Sequence, residues 1–413
     1  MPQSRRARFA TRSCFALLTT GLACVGLAAP AFGTPTSFTG GDLVVYQVTE
    51  TGACCTSTAG SVQLVDYSTA GVASGFSVSL PDTTSGSSNA LVESGKATND
   101  GDLTLSADGQ YLYATGYDDA DGTPSITGVT TVPRTVAIVS STGAVDTTTA
   151  LSDSTTEAQN IRSATGPTGG TANFYNGGGA GVGYTADGAS TNSFVDPGDT
   201  THQLVISNGN LFESTTTNIF QLGTGLPSST VTPTAVITTP PSKFSANGFA
   251  FVTLGSGSTP DTLYVADTAN NAVEKYAYNG STATLEGSVT VDDPTGLVAS
   301  VSGGTAHIYI TNGTGTNTYA TQISELTDSS GAGGTLPSTT TVNNLVTVGT
   351  GTSLASASFH GLAWAPVATV GASAPETPIA VALPVIAVAL FGGAFVVYRR
   401  RTQSSPTGQR AEA

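Results

Sequence analysis

Basic residues are scarce in this chain. Its 413 residues include 13 Lys and Arg against 28 Asp and Glu, with three His, one Trp and one Met. Eight of the basic residues stand at the two ends: Arg5, Arg6, Arg8 and Arg12, then Arg399, Arg400, Arg401 and Arg410. Only Lys96, Arg134, Arg162, Lys243 and Lys275 fall within residues 34–375, where 26 acids leave a net charge of −21. A field of that sign repels phosphate backbones and anionic lipid, so nucleic acid is excluded as a partner. It also keeps a protein soluble on a crowded surface.

Cysteine is nearly absent. Cys14 and Cys24 lie in the apolar N-terminal run, which leaves Cys54 and Cys55 side by side. Adjacent cysteines with no nearby His lack the spacing of a zinc site. A vicinal disulfide, an intermolecular link and two buried thiols are the readings, with the vicinal disulfide preferred because an extracellular compartment permits it. Long helical periodicity is missing between residues 34 and 375. A Gly-x-Ser-x-Gly elbow is missing as well. Gly95-Lys96-Ala97 lacks the rest of a phosphate loop, and the Gly177–Gly181 run is a turn with no helix after it. No catalytic constellation emerges, so an enzyme is the less favoured reading.

The ends carry targeting signals. A basic start, an apolar run from Cys14 to Ala31 and small residues at Ala29-Pro30-Ala31 form the pattern of a secretory signal peptide over residues 1–33. Residues 379–398 are uncharged and apolar, and three Arg follow at once. About 20 such residues span a bilayer, and the basic cluster marks the cytoplasmic side. The expected layout is a signal peptide (1–33), an extracellular domain (34–367), a short stalk (368–378), a transmembrane helix (379–398) and a cytoplasmic basic tail (399–413). The expected location is the cell membrane, as a single-pass protein with its N-terminal part outside. Pro375-Glu376-Thr377-Pro378 stands where a sorting motif would stand, so processing of the anchor is left open.

Between these ends, short β-rich runs recur, bounded by Gly, Asn, Asp and Pro. Leu103-Thr104-Leu105 and Tyr111-Leu112-Tyr113 flank Asp108-Gly109, a hairpin signal. A unit repeats: a polar residue opens an apolar run, and a strand of the Leu-Tyr-Val-Ala kind follows. Units start near residues 99, 159, 201, 246, 294 and 359. Strands repeated at this spacing predict an all-β fold, a β-propeller of six blades. The average unit length leaves room for a seventh blade, and a pair of β-sandwiches is the alternative fold. The last run, Phe359–Ala365, and the first, Asp42–Val48, each lack a partner. Unpaired strands must pair, so the two are expected to share one blade and close the ring.

Leu263-Tyr264-Val265-Ala266-Asp267-Thr268-Ala269-Asn270-Asn271 resembles the repeat core of NHL-type and YVTN-type propellers, where the Asp-Thr-x-Asn-Asn turn joins two strands of a blade. Ala272 replaces the usual Arg, so no role of that Arg carries over. Gly41–Tyr46, Val132-Pro133-Arg134, Asn160–Ala164 and Asp261–Asp267 resemble a set of bacterial extracellular propellers with C-terminal membrane or sorting anchors. That resemblance implies fold and location and brings no activity with it.

Residues that open the innermost strands line one mouth of a propeller channel. Asp100, Asn160, Arg162, Asn247 and His360, with Thr295 beside them, are therefore the candidate ligand-binding residues. Asp118, Asp119 and Asp121 are the candidate cation ligands. An EF-hand is excluded, because Tyr117 and Gly128 occupy its end positions. Calcium is the cation such a loop would take; no other cofactor is indicated. Three functional readings follow. The first is a membrane-anchored surface module that binds a protein or glycan partner. The alternatives are a hydrolase or lyase with a channel-bound cation, and a structural envelope component.

Overall fold

The computed structural model describes residues 35–368, apart from 52–53, 154–155, 157, 170–172, 316–318 and 349–356. The expected signal peptide, transmembrane helix and tail, and all of the stalk beyond residue 368, lie outside the described residues. Among those described, no helix is long and apolar enough to cross a membrane.

The described chain is all-β apart from one 3-10 turn at Ile126–Gly128. β1 (Leu43–Thr49), β2 (Ala59–Tyr67) and β3 (Ala73–Ser79) come first, then a short linking strand β4 (Val92–Ser94). Blade 2 is β5 (Thr104–Leu105), β6 (Tyr111–Tyr117), β7 (Arg134–Ser140) and β8 (Val145–Leu151). Blade 3 is β9 (Ile161–Thr165), β10 (Phe174–Gly178), β11 (Gly181–Thr185) and β12 (Ser193–Pro197). Blade 4 is β13 (Leu204–Ser207), β14 (Asn210–Ser214), β15 (Ile219–Leu222) and β16 (Pro233–Ala235). Blade 5 is β17 (Ala246–Val252), β18 (Thr262–Asp267), β19 (Ala272–Tyr278) and β20 (Ala283–Thr290). Blade 6 is β21 (Leu297–Ser302), β22 (Thr305–Asn312), β23 (Gln322–Asp328) and β24 (Asn343–Thr347).

The final strand, β25 (Ala357–Trp364), pairs antiparallel with β1, in the order β25-β1-β2, with β3 on the other side of β2. Blade 1 is therefore built from both ends of the chain. Its register sets Leu43 against Trp364 and Val48 against Ser358. The N-terminal run and the last run are partners, as the unpaired edges required. Among the described residues, six four-stranded antiparallel sheets account for every strand but β4, which bridges β2 to β6.

The alternation of side chains explains why the strands read as continuous apolar runs. A strand sends successive residues to opposite faces, and each blade is covered on both faces by its neighbours. In β18, Leu263 and Val265 pack with Phe212 and Ile219 of blade 4. Tyr264 and Ala266 of the same strand pack with Ile308 and Ile310 of blade 6. In β6, Leu112 and Ala114 join Val44 and Leu64 of blade 1, while Tyr113 joins Ile161 and Phe174 of blade 3. Tyr175 and Val182 meet Leu204 and Leu211 across blades 3 and 4. Tyr309 and Ile323 of blade 6 meet Leu43, Phe359 and Leu362 of blade 1. Each of the six seams holds one such core, and the seams run in a closed circle. This is a β-propeller rather than a pair of sandwiches, which would place two sheet faces against one core.

The motif turn is held by its own Asp. Asp267 Oδ1 accepts from the Ala269 and Ser245 amides at 3.0 and 3.1 Å. Asn271 takes a left-handed φ of 48° that Asn tolerates. Cys54 and Cys55 form a vicinal disulfide.

Candidate functional site

All inner strands enter the ring from the same face. There the segment from Lys96 to Gly101, leading from β4 into β5, lies across the channel mouth. Three blades hold it. From blade 3, Asn160 Nδ2 donates to Asp100 Oδ2 at 2.9 Å and Arg162 Nε donates to Asp100 Oδ1 at 3.1 Å. From blade 5, Asn247 Nδ2 donates to Thr98 O and Asn99 Oδ1, both at 3.0 Å. From blade 1, His360 Nδ1 lies 2.8 Å from Asp100 O, and the Gly361 amide donates to Gly101 O at 3.0 Å. Gly361 is needed here, because a Cβ would collide with the Leu103 amide.

All five predicted mouth residues therefore converge, and each spends hydrogen bonds on this plug. Beside it lies a small, partly open chamber lined by Asp102, His202, Asn247 and His360, with a volume of about 20 Å³. That is room for one water molecule, and too little for an organic ligand. Asn247 and His360 face this chamber. Asn160 and Arg162 face outward, onto a groove of about 290 Å³ over the plug. Lys96, Thr98 and Asn99 line its floor, with the hydroxyls of Ser57, Ser94 and Thr127 around them. Lys96 is exposed, whereas the Arg162 side chain is 14% exposed and held by Asp100.

The groove rests on buried acids. Burial pushes Asp100 upward, against the pull of Arg162 and the Tyr117 hydroxyl. Burial and then the neighbouring Asp100 push Glu93 upward too. Tyr117 OH donates to Asp100 Oδ2 at 3.0 Å, and its ring carries the Arg134 guanidinium at 4.6 Å. Arg134 in turn donates to Gln159, Val132 and Val129 carbonyls at 2.7, 2.6 and 2.8 Å. Burial lowers His360 to about 4, and burial with Arg162 lowers His202 to about 4. Both imidazoles are neutral at physiological pH. His360 faces a carbonyl through Nδ1, so that nitrogen carries the proton and Nε2 faces Ser358 Oγ at 3.3 Å. Ser358 is fully buried, which removes this pair from any substrate.

The predicted cation loop is not assembled. Asp118 is spent on the Thr84 hydroxyl and on the Ala90 amide at 2.9 Å. Asp119 caps its own turn through the Ala120 amide at 2.8 Å. Among the described residues, these two and Asp121 are not among the acids whose carboxylates converge, and Asp118 and Asp119 are spent on separate partners. A different trio, Asp196, Asp199 and Glu213, does converge. Sequence reading missed it, since its members come from two blades.

It also missed a second opening. On the far face the channel widens into a pit of about 210 Å³, lined by Leu105, Val205, Phe251, Val298 and Trp364 around Gln203. The signal was present in the ends of the inner strands, which stay apolar where they leave the seams.

No family model matches the sequence, and no curated protein matches it. Solved structures of similar shape include the periplasmic gluconolactonase of Pseudomonas aeruginosa, at 13% identity and TM-score 0.39 over 73% of this chain and 81% of that one. A gluconolactonase of Xanthomonas campestris matches at 12% identity and TM-score 0.37, over 75% and 90%. The β-propeller domain of Cps50 from Myceliophteria thermophila matches at 11% identity and TM-score 0.39, over 74% and 88%. Likeness at this level carries nothing about activity or substrate.

Proposed function

We propose that this protein is a surface propeller, held at the cell membrane by residues 379–398, whose groove over the plug binds an acidic glycan. One observation carries the reading. Two of the five cationic side chains of an otherwise acidic body, Lys96 and Arg162, line one polar groove. Charge farther off than about 8 Å is screened at physiological salt, so the local pair governs a bound carboxylate. Asn99, Asn160 and the rim hydroxyls suit sugar hydroxyls. The last strand runs away from this face, and Val367 is tied to the Gly109 turn on the opposite one. A C-terminal anchor thus leaves the groove facing outward. An array of acidic and neutral glycans tests this with the wild type and Lys96→Glu. Retention of uronate-bearing glycans by the wild type, lost in the variant, is expected. Equal retention of neutral glycans by both proteins counts against it.

A second reading is a hydrolase or lyase, favoured by the raised acids Glu93 and Asp100 beneath the groove. Groups shifted in this way cluster at reactive sites. It requires turnover of a bound sugar or lactone that is lost in Asp100→Asn, with binding retained.

A further inference from the structure

We infer that Asp196, Asp199 and Glu213 form a calcium site at the seam of blades 3 and 4. One carboxylate oxygen from each lies within 4.8 Å of the others. Glu213, on β14, is fully buried, and Asp196, on β12, is 6% exposed. Among the described residues, no donor reaches Glu213 Oε1 or Asp196 Oδ2. Burying an acid without a partner is costly, so two such oxygens within one acidic cluster call for a shared proton or a counter-charge. No ion pair among the described residues supplies it. Arg162 reaches only as far as the Thr201 carbonyl, with Nη1 at 3.5 Å.

The other Glu213 oxygen is fixed. Thr201 Oγ1 donates to Oε2 at 2.7 Å, which leaves Oε1 as the oxygen free to take a ligand. Asp199 sits on the exposed crossing between the blades, so an ion can enter from solvent. Three carboxylates with no nitrogen or sulfur donor suit a hard cation. Calcium accepts a loose set of oxygens completed by carbonyls and water, whereas magnesium demands a strict octahedron. Burial, then the neighbouring Asp196, pushes Glu213 up to about 9. In the empty site a proton shared between the two acids would take the ion's place.

Calorimetric titration of calcium into the chelator-treated full-length protein tests the site at pH 7.5, with thermal unfolding in parallel. Extracellular sites of this kind bind at about 0.1–1 mM. The expected result is one equivalent bound in that range and a melting temperature that rises with calcium. Asp199→Asn, at an exposed position, should fold normally and weaken binding at least about tenfold. Glu213→Gln should abolish it. Absence of binding in the wild type, or equal binding in the wild type and Asp199→Asn, overturns the assignment. Either result would leave Asp196 and Glu213 as a proton-sharing pair.

Discussion

His360 Nδ1 sits 2.8 Å from the carbonyl of Asp100, 260 positions earlier in the chain. This contact joins the strand that closes the ring to the segment that plugs it. Ring closure and the shape of the groove are therefore coupled. Replacing His360 by Phe leaves the buried Asp100 carbonyl without its donor. A loss of about 1–3 kcal/mol is expected, read as a lower denaturant midpoint. His360→Gln, which can still donate, should recover part of it.

Closure by β25 can be tested by removal. Deleting Phe359–Pro366 exposes the edge of β1 and uncovers Leu43, Tyr67 and Tyr309, which pack with Phe359, Leu362 and Trp364. Open edges template aggregation. A chain from residue 34 to 358 should aggregate or melt far below one ending at residue 370. Trp364 is half-buried edge-on against Tyr309, with ring centroids 5.7 Å apart. In the longer chain its fluorescence should shift at the global melting transition. Equal melting temperatures would show that the two ends do not hold each other.

Blades 5 and 6 share a buried ion pair. Lys275 Nζ lies 2.7 Å from Asp328 Oδ2, with both side chains fully buried. The ammonium's remaining donors meet Ser330 Oγ at 2.8 Å and Gly331 O at 2.7 Å. Burial opposes the Asp328 charge, but Lys275, Ser330 and Tyr264 outweigh it and hold the carboxyl below its usual range. Lys275→Met strands that charge and should cost about 3–5 kcal/mol. Chemical denaturation of the two proteins measures the difference.

Stability should depend on pH on both sides of neutrality. Burial raises Glu274 to about 7 and Glu213 to about 9, so the folded protein holds protons that the unfolded chain releases. Their contribution is complete below the ordinary Glu range and is lost as pH rises through these values. His202 and His360, lowered to about 4, act the opposite way. They favour the fold above the ordinary His value of about 6.5 and penalise it as pH falls toward 4. Above pH 6.5 the histidines no longer act, and the raised acids, with Glu93 and Asp102 pushed the same way by burial, all act in one direction, so in chelator the melting temperature should fall from pH 6.5 to 9. Glu213→Gln should make the fall between pH 7 and 9 shallower.

Much of this was legible in the sequence, because a blade imposes a local rule. Leu263-Tyr264-Val265-Ala266 is apolar at every position since both faces of β18 are covered, and Asp267 marks the turn that follows. The unpartnered runs at Asp42 and Phe359 required each other on hydrogen-bonding grounds alone. The starts of the inner strands located Asp100, Asn160, Arg162, Asn247 and His360 at one mouth. The plug was not legible, because nothing local in Lys96–Gly101 announces that it crosses an axis. The acidic trio was hidden for a related reason. Glu213 stands in an ordinary strand, and only the crossing from blade 3 to blade 4 brings Asp196 and Asp199 to it. The Asp118–Asp121 loop misled in the opposite direction, since density of acids along a chain does not make their oxygens converge.

The claim that the groove over the plug is the binding site is tested most directly by nuclear magnetic resonance. A uronic-acid oligosaccharide is titrated into the isotope-labelled propeller domain. The backbone amides of Lys96 and Asn99 and the indole N–H of Trp364 are followed together. The account predicts saturable shifts at Lys96 and Asn99 that vanish in Lys96→Glu, with Trp364 unmoved. Shifts confined to Trp364 would place the ligand in the opposite pit. That result, or no shift at any of the three, would contradict the account.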